Sequence, residues 1–233
     1  MKQAVIFDLG NTLVSYFTRS EWPGILAQAI EEVSTYLRSQ GLFRVDPAEL
    51  TDRVEAERPE PVDHRVKPLV GRLARIFGLS EPELGNGVAE QLCRHFMKPA
   101  FAVACRYDDT LPTLKAIRER GLRTGILSNT PWGSPPDLWR EEVDRHGLTD
   151  AVDTVLFCCD VGYRKPARQP FESIMQQLGV SADGCLFVGD DPRWDIVGPR
   201  GVGMEAILID RTGSEQDADE NTVRSLTELL DRL

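Results

Sequence analysis

The stretch QAVIFDLGNT, residues 3–12, lies at the start of the chain and decides the fold. Its apolar part is rich in β-branched and aromatic residues, and an unbroken run of this kind is typical of a strand buried in a parallel sheet. The run ends in Asp8-Leu9-Gly10-Asn11-Thr12, a polar turn that contains a glycine. The stretch therefore predicts a buried strand with polar side chains at its carboxyl end.

Similar apolar runs occur later in the chain, at residues 122–127, 185–188 and 206–209, with a weaker candidate at 153–158. Helical patterns separate these runs. One of them has apolar residues spaced three and four apart and ends at a glycine, as amphipathic helices do (Phe171, Ile174, Met175, Leu178 and Gly179). Strands that alternate with helices predict an α/β fold, with a parallel sheet covered by helices on both faces.

Residues 17–101 differ from the rest, because they show helical periods and no convincing strand. Within them, Asp46-Pro47-Ala48-Glu49 has the order of a helix start, with a capping carboxylate followed by proline. We therefore predict an inserted all-α domain of four helices at 17–101 and an α/β core formed by residues 1–16 and 102–233. An insertion at this point would lie over the carboxyl edge of the sheet, where open α/β sheets bind ligands.

The composition is that of a globular protein with an acidic surface. The 233 residues include 27 Lys and Arg against 37 Asp and Glu, which gives a formal net charge of −10. This charge repels phosphate backbones and anionic lipid, so we expect neither a nucleic-acid partner nor a membrane partner. The five cysteines form no C-x-x-C pair, and the N-terminus lacks the features of a signal peptide. We expect reduced thiols in a cytoplasmic monomer or dimer.

Polar or charged residues follow each strong strand of the central sheet, and these ends meet on one side of a parallel sheet. The three carboxylates among them, Asp8, Asp190 and Asp191, would repel one another at close range. A hard divalent cation relieves such repulsion, and Mg²⁺ is the common choice. Carboxylates, Mg²⁺, a lysine and hydroxyl donors together suit the transfer of a phosphoryl group. The lysine and hydroxyl donors would be Lys165, Ser128 and Thr12.

Four segments, taken in order, resemble the motifs of the haloacid dehalogenase superfamily. With h for a hydrophobic residue and x for any residue, they are hhhhDxGxT at 4–12, hhhSN ending at Asn129, Lys165-Pro166, and hhhGDDxxxD ending at Asp195. The resemblance covers residues 1–15 and about 105–210, and for the insertion it covers only position and helical character. It implies a Rossmann-like three-layer core with a helical cap. It also implies a Mg²⁺-dependent phosphatase that acts on a small phosphorylated metabolite.

The resemblance also implies roles for individual residues. Asp8 would be the nucleophile that forms an aspartyl-phosphate, while Ser128 and Lys165 would hold the phosphoryl oxygens as the other catalytic residues. The implied metal ligands are Asp8, Gly10 through its carbonyl oxygen, Asp190, Asp191 and Asp195, the last two acting directly or through water. We further interpret Thr12, Asn129, Arg164 and His64 as substrate-binding residues.

Gly10 departs from the family pattern, in which phosphatases usually carry a second aspartate as general acid and base. Glycine keeps the carbonyl ligand but has no proton to donate, and general acid catalysis is typically worth about 10²–10⁴-fold. Three consequences remain open. The leaving group needs no protonation, or a residue of the insertion such as Asp63 or His64 donates the proton, or the enzyme is slow or degenerate.

Two other functions remain as alternatives. One is a non-catalytic or degenerate protein that binds a phosphorylated ligand, and its only support is Gly10. The other is a dehalogenase-type hydrolase that attacks carbon without a metal. The paired carboxylates Asp190 and Asp191 argue against the second, because holding them together without a metal is costly.

Overall fold

The computed structural model describes residues 2–213 and 221–233 and contains one large sheet. The strands are β1 (Ala4–Phe7), β2 (Val14–Ser15), β3 (Cys105–Arg106), β4 (Arg123–Ser128), β5 (Thr154–Phe157), β6 (Cys185–Gly189), β7 (Glu205–Ile209) and β8 (Thr222–Val223). Six of them form the large sheet in the order β5-β4-β1-β6-β7-β8, and every pairing in it is parallel. The other two strands, β2 and β3, form a separate antiparallel pair.

The α-helices alternate with the strands of the sheet, as the α/β prediction requires. They are α1 (Trp22–Ser39), α2 (Pro47–Glu57), α3 (Leu69–Phe77), α4 (Val88–Ala102), α5 (Thr110–Glu119), α6 (Pro136–Arg145), α7 (Cys158–Val161), α8 (Arg168–Leu178), α9 (Val197–Gly201) and α10 (Leu226–Leu229). The Rossmann-like fold class is confirmed. Among the described residues, the helices lack the combination of length and apolar character that crossing a bilayer requires.

The two faces of the sheet carry separate apolar cores, because alternate residues of a strand point to opposite sides. Val5 and Phe7 of β1 belong to the core that includes α5 and α10. Ala4 and Ile6 belong to the core that includes Phe171 of α8. Burial of each large side chain contributes roughly 1.5–3 kcal/mol, so helices on both faces stabilise the strands whose ends carry the polar residues.

The helical segment, defined here as residues 22–102, contains α1 to α4 and lies between β2 and β3 in the chain. The predicted helix start is confirmed, since the Asp46 side chain accepts a hydrogen bond of 2.9 Å from the Ala48 N–H at the start of α2. Because β2 and β3 pair with each other, the chain enters and leaves the segment through one short antiparallel ladder. This ladder ties the base of the helical segment to the turn after β1.

The loop after β4 makes a second attachment to the helical segment. The ring of Trp132 stacks on Phe96 of α4 at 5.4 Å between centroids and meets Trp22 of α1 at 6.4 Å. The next residue, Gly133, has φ +67°, and a Cβ there would lie 2.2 Å from the carbonyl oxygen of Lys67. Only glycine fits this position without movement of the backbone.

We expect Gly133→Ala to lower the free energy of unfolding by several kcal/mol. The left-handed backbone costs about 1–2 kcal/mol for a residue with a Cβ, and overpacking against the Lys67 backbone adds roughly 1–3 kcal/mol. Gly121→Ala is the matched control, because Gly121 has φ +77° but no atom within 4 Å of a Cβ. Urea unfolding of both variants provides the measurement. Equal losses in the two variants would show that the close approach of Gly133 to Lys67 has no energetic weight.

Candidate active site

Lys165 is the centre of the polar cluster at the carboxyl edge of the sheet. Its side chain is buried, and its Nζ donates hydrogen bonds to Oδ1 of Asp8 at 2.7 Å and Oδ1 of Asp195 at 2.6 Å. A third bond of 3.0 Å reaches the carbonyl oxygen of Leu127. Burial lowers the pKa of Lys165, but the charges of Asp195 and Asp8 outweigh burial and raise this pKa above its usual value. The amine is therefore a fixed positive charge.

Asn129 holds the main chain of Lys165 from both sides. Its Oδ1 accepts a bond of 2.9 Å from the Lys165 N–H, and its Nδ2 donates a bond of 3.2 Å to the Lys165 carbonyl oxygen. The Lys165-Pro166 peptide bond in this position is cis. The sequence predicts a substrate contact for Asn129, but both of its polar atoms are used to position Lys165.

Three carboxylates converge beside this amine. Asp8 follows β1, Asp190 follows β6, and Asp195 lies in the helical turn Pro192–Ile196. One oxygen of each lies within 4.8 Å of the others. Burial, followed by the charges of Asp8 and Asp195, raises the pKa of Asp190 to about 8. Burial, opposed by Lys165 and supported by Asp8, raises the pKa of Asp195 to about 6. The cluster therefore concentrates negative charge that a cation would stabilise.

Gly189 makes the position of Asp195 possible. A Cβ at Gly189 would lie 2.4 Å from Cγ of Asp195, so the carboxylate packs directly on the main chain of β6. The second oxygen of Asp195 accepts a bond of 3.1 Å from the Asp191 N–H. Asp195 is thus fixed between the end of β6 and Lys165.

A divalent metal ion fits this set of residues. With all three carboxylates ionised, as cation binding requires, they and the one ammonium group carry a net charge of −2, which one divalent cation would neutralise. The donor atoms are oxygens, which hard cations such as Mg²⁺ prefer. Gly10 lies beside the cluster, since a Cβ there would be 3.9 Å from Oδ2 of Asp8. Asp8, Asp190 and Asp195 would hold the ion, with the Gly10 carbonyl as a further proposed ligand.

Asp191 is placed differently from its predicted role as a metal ligand. Its Oδ1 caps the turn after β6 by accepting bonds from the N–H groups of Arg193 at 2.9 Å and Trp194 at 3.3 Å. Its Oδ2 pairs with Arg19 at 2.7 Å. Both oxygens are therefore used away from the carboxylate cluster. The Asp-Pro order at 191–192, which is typical of a helix start, was the available sequence signal for this role.

Ser128 and Thr12, the predicted hydroxyl donors, are both buried. Ser128 ends β4 next to Leu127, and its hydroxyl donates a bond of 3.2 Å to the Asn129 carbonyl. Thr12 is fully buried, and within residues 2–213 and 221–233 its hydroxyl has no hydrogen-bond partner. The Thr12 carbonyl accepts bonds of 2.7 and 3.2 Å from Arg211. Thr12 thus anchors the turn after β1, and a substrate contact for its hydroxyl stays a prediction.

The loop that contains His64 lies along the segment that leads into Lys165. The His64 carbonyl accepts a bond of 2.8 Å from the Arg164 N–H, and the Val66 N–H donates to Gly162 at 3.0 Å. The His64 side chain is exposed, so its contribution here comes from the main chain. Asp63, the other predicted proton donor, pairs with Arg65 in the same loop at 3.2 Å.

Two residues of the helical segment escaped the sequence analysis, although both lie beside the loop before Lys165. Arg72 on α3 is fully buried, and Glu60 lies between α2 and α3. Glu60 bridges Arg72 at 2.8 Å and Arg164 at 3.0 Å. An arginine inside the apolar stripe of Leu69, Leu73 and Ile76 was the only signal in the sequence.

Comparisons with known proteins agree with this geometry. The family of haloacid dehalogenase-like hydrolases matches residues 2–203. The Mycobacterium tuberculosis protein named phosphatase MT3486 is 36% identical over 231 residues, which are 98% of this chain and 96% of that protein. The phosphoglycolate phosphatase of Rhodospirillum rubrum is 29% identical over 214 residues, which are 90% of this chain and 80% of that protein.

Solved structures show the same fold. The crystal structure of a HAD phosphatase from Thermococcus onnurineus aligns with a TM-score of 0.67 and 25% identity, and the alignment covers 99% of this chain and 97% of that one. The sequence match, the parallel sheet and the acidic strand ends therefore agree. On this evidence the chain belongs to the family of haloacid dehalogenase-like hydrolases.

Proposed function

We propose that this hydrolase is a Mg²⁺-dependent phosphatase that releases phosphate from a small phosphorylated metabolite through an aspartyl-phosphate on Asp8. The observation that carries the proposal is the convergence of Asp8, Asp190 and Asp195 with the buried amine of Lys165. Two relatives with phosphatase names, which align over most of this chain, support the same activity.

The proposed reaction has two steps, both of which use Asp8. The Asp8 carboxylate attacks phosphorus, the bond from phosphorus to the leaving oxygen breaks, and the phosphoryl group is transferred to Asp8. Water then attacks the phosphorus of the aspartyl-phosphate, which restores the carboxylate and releases inorganic phosphate. Lys165 and Ser128 would bind phosphoryl oxygens at the strand ends. A bound Mg²⁺ would neutralise charge on the phosphoryl group and on the carboxylates.

We infer that the helical segment acts as a cap over this site, as the predicted division into a core at 1–16 and 102–233 and a cap at 17–101 implies; α4 ends one residue beyond the predicted cap, at Ala102. Its loop pairs with the residues before Lys165, and Trp132 of the loop after β4 packs on α1 and α4. A cap in this place would select the substrate and exclude water during the transfer.

The absence of an acid at Gly10 limits the substrates that we propose. Asp63 and His64, which could replace it, are both exposed, and Asp63 is paired with Arg65. We therefore favour substrates whose leaving group departs without protonation, such as acyl or aryl phosphates or sugar 1-phosphates. Asp190 argues against a dehalogenase that works without a metal, because a third carboxylate beside Asp8 and Asp195 is costly to hold. Release of phosphate distinguishes the proposed phosphatase from a protein that only binds its ligand.

The central test replaces Asp8 with asparagine, which keeps the size of the side chain but removes the nucleophile. We expect Mg²⁺-dependent release of phosphate from aryl and acyl phosphates, and at least about a thousandfold loss of kcat in Asp8→Asn. Phosphate release is measured with Mg²⁺ and with a chelator. Activity that persists in Asp8→Asn would refute the proposal. No turnover over a broad panel, together with tight Mg²⁺-dependent binding, would favour the non-catalytic alternative.

Asp190 and Asp191 offer a matched pair for the metal site, because the same substitution is made at neighbouring positions. We expect Asp190→Asn to raise the Mg²⁺ concentration for half-maximal activity by more than about tenfold. Replacing even a residue that only hydrogen-bonds to a metal ligand typically lowers metal affinity or activity about 10–100-fold. Asp191→Asn should change this concentration little, because asparagine also caps a helical turn. Titration of the activity of both variants with Mg²⁺ measures this concentration. Equal shifts would place Asp191 in the metal site.

Gly10 can be tested by restoring the missing acid. A Cβ at Gly10 has no neighbour closer than 3.9 Å, so a side chain can be introduced beside Asp8 without a clash at that atom. We expect Gly10→Asp to raise kcat for alkyl phosphates by up to about 10²–10⁴-fold and to change aryl phosphate hydrolysis much less. Gly10→Asn is the control of equal size without a transferable proton. The same gain in both variants, or a gain in neither, would contradict the explanation from general acid catalysis.

A further inference from the structure

An ionic cluster lies where the helical segment meets the loop before Lys165. Oε2 of Glu60 is 2.8 Å from Nη2 of Arg72 and 3.0 Å from Nη1 of Arg164. Arg72 belongs to α3, Arg164 directly precedes Lys165, and Glu60 lies in the loop between α2 and α3. Two guanidinium groups from different parts of the fold therefore converge on one carboxylate oxygen.

The guanidinium group of Arg72 is fixed independently of Glu60. The side chain is fully buried, and its other nitrogens donate to the carbonyl oxygens of Lys67 at 3.3 Å and of Glu57. The group lies 5.3 Å from the centre of the Trp132 ring, in the loop that follows Ser128. Its position would persist if the Glu60 carboxylate moved away.

The guanidinium group of Arg164 is held on the other side of the cluster. Its side chain is largely buried and lies 5.5 Å from the centre of the Trp194 ring. Trp194 is the residue before Asp195, so Arg164 is placed between Lys165 and the turn that carries Asp195. Both arginines thus border loops that supply the phosphoryl site.

The pairing with Glu60 leaves two guanidinium donors and one carboxylate acceptor of the described residues without a well-directed hydrogen bond. Nη2 of Arg72, Nε of Arg164 and Oε2 of Glu60 are buried atoms that make no well-directed hydrogen bond with the described residues. Burial lowers the pKa of Arg72, the charge of Glu60 partly offsets this shift, and the nearby charge of Arg164 adds a smaller lowering. A guanidinium group usually binds an oxyanion through two parallel bonds, so one carboxylate does not satisfy two such groups.

We propose that Arg72 and Arg164 form a second anion-binding subsite, which takes a carboxylate or a second phosphate of the substrate in place of the Glu60 carboxylate. The inference rests on the proposed function, because the first anion of that substrate would be the phosphoryl group at Asp8 and Lys165. Glu60 can be exchanged more readily than either arginine, since its side chain is 31% exposed and it lies in a loop. The substrate class is then a phosphorylated metabolite with two anionic groups.

The test measures binding, so that it does not depend on turnover. Calorimetry with Mg²⁺ on the full chain carrying Asp8→Asn gives Kd for phosphoglycolate and for ethyl phosphate, which differ by one carboxylate. A second pair, 1,3-propanediol bisphosphate and propyl phosphate, differs by one phosphate. The readout is the Kd ratio within each pair, defined as Kd of the singly anionic member divided by Kd of the doubly anionic member. We expect a preference of about 10–100-fold for the doubly anionic member of at least one pair, as charged hydrogen bonds provide. The pair that shows it identifies the second anion.

Three variants locate that preference in the cluster. Arg164→Gln should reduce the Kd ratio at least about tenfold, and Glu60→Gln should increase it, because the competing carboxylate is gone. Arg168→Gln is the control, because it removes the same charge four residues after Arg164. The Arg168 side chain is exposed and pairs with Glu172, outside the cluster. A ratio near one in both pairs, a ratio insensitive to Arg164→Gln, or an equal loss in Arg168→Gln would overturn the subsite. Turnover of p-nitrophenyl phosphate by the unsubstituted chain is scored separately, so failure of the phosphatase and failure of the subsite are distinguishable.

Discussion

The buried ammonium group of Lys165 is the constraint on which the rest of the site depends. A buried charge is costly unless it is paired and hydrogen-bonded, and three acceptors from three elements meet this one. They are Asp8 after β1, the carbonyl of Leu127 in β4, and Asp195 in the turn after β6. These elements must therefore lie in register with one another for Lys165 to be buried at all. Asn129 and Gly189 serve the same requirement, the first by holding the main chain of Lys165 and the second by leaving room for Asp195.

The hydrogen bonds of Lys165 also make the three carboxylates electrostatically unequal. Asp8 and Asp195 each accept a short bond from Lys165, whereas the hydrogen bonds of Lys165 described here do not include Asp190. The pKa of Asp190 is accordingly raised further, to about 8, than that of Asp195, to about 6. Asp190 is thus the carboxylate whose charge is least compensated within the protein. A cation bound in the cluster would therefore be stabilised most by the charge of Asp190.

Much of the fold could be predicted because five of the six strands of the central sheet are apolar runs. The sixth, β8, has only two residues, Thr222 and Val223, and was not predicted. The helix start at Asp46 was equally legible, since Asp-Pro is a local signal. At Asp191-Pro192 the same signal competes with a second pattern, because the adjacent acids Asp190 and Asp191 also resemble a pair of metal ligands. The side-chain oxygens of Asp191 bond to the turn after β6 and to Arg19, and only the three-dimensional structure shows this. Strands β2 and β3 have two residues each and show no periodicity. The role of Asn129 and the Glu60 bridge depend on contacts between residues 36 or more than 100 positions apart, which no local pattern encodes.

The helical segment is mechanically connected to both loops that carry Ser128 and Lys165. The main chain of the loop at residues 64–66 is hydrogen-bonded to residues 162–164, and the next residue is Lys165. Trp132, held with φ 54° in the loop after Ser128, packs on α1 and α4. Displacement of the helical segment would therefore move both loops that carry Ser128 and Lys165, the residues proposed to bind the phosphoryl oxygens. Because Gly10 supplies no proton, correct placement of the leaving group carries more of the rate than it would in a relative with the second acid. The helical segment, which we propose selects the substrate, is bonded to the residues before Lys165 and is therefore suited to provide that placement.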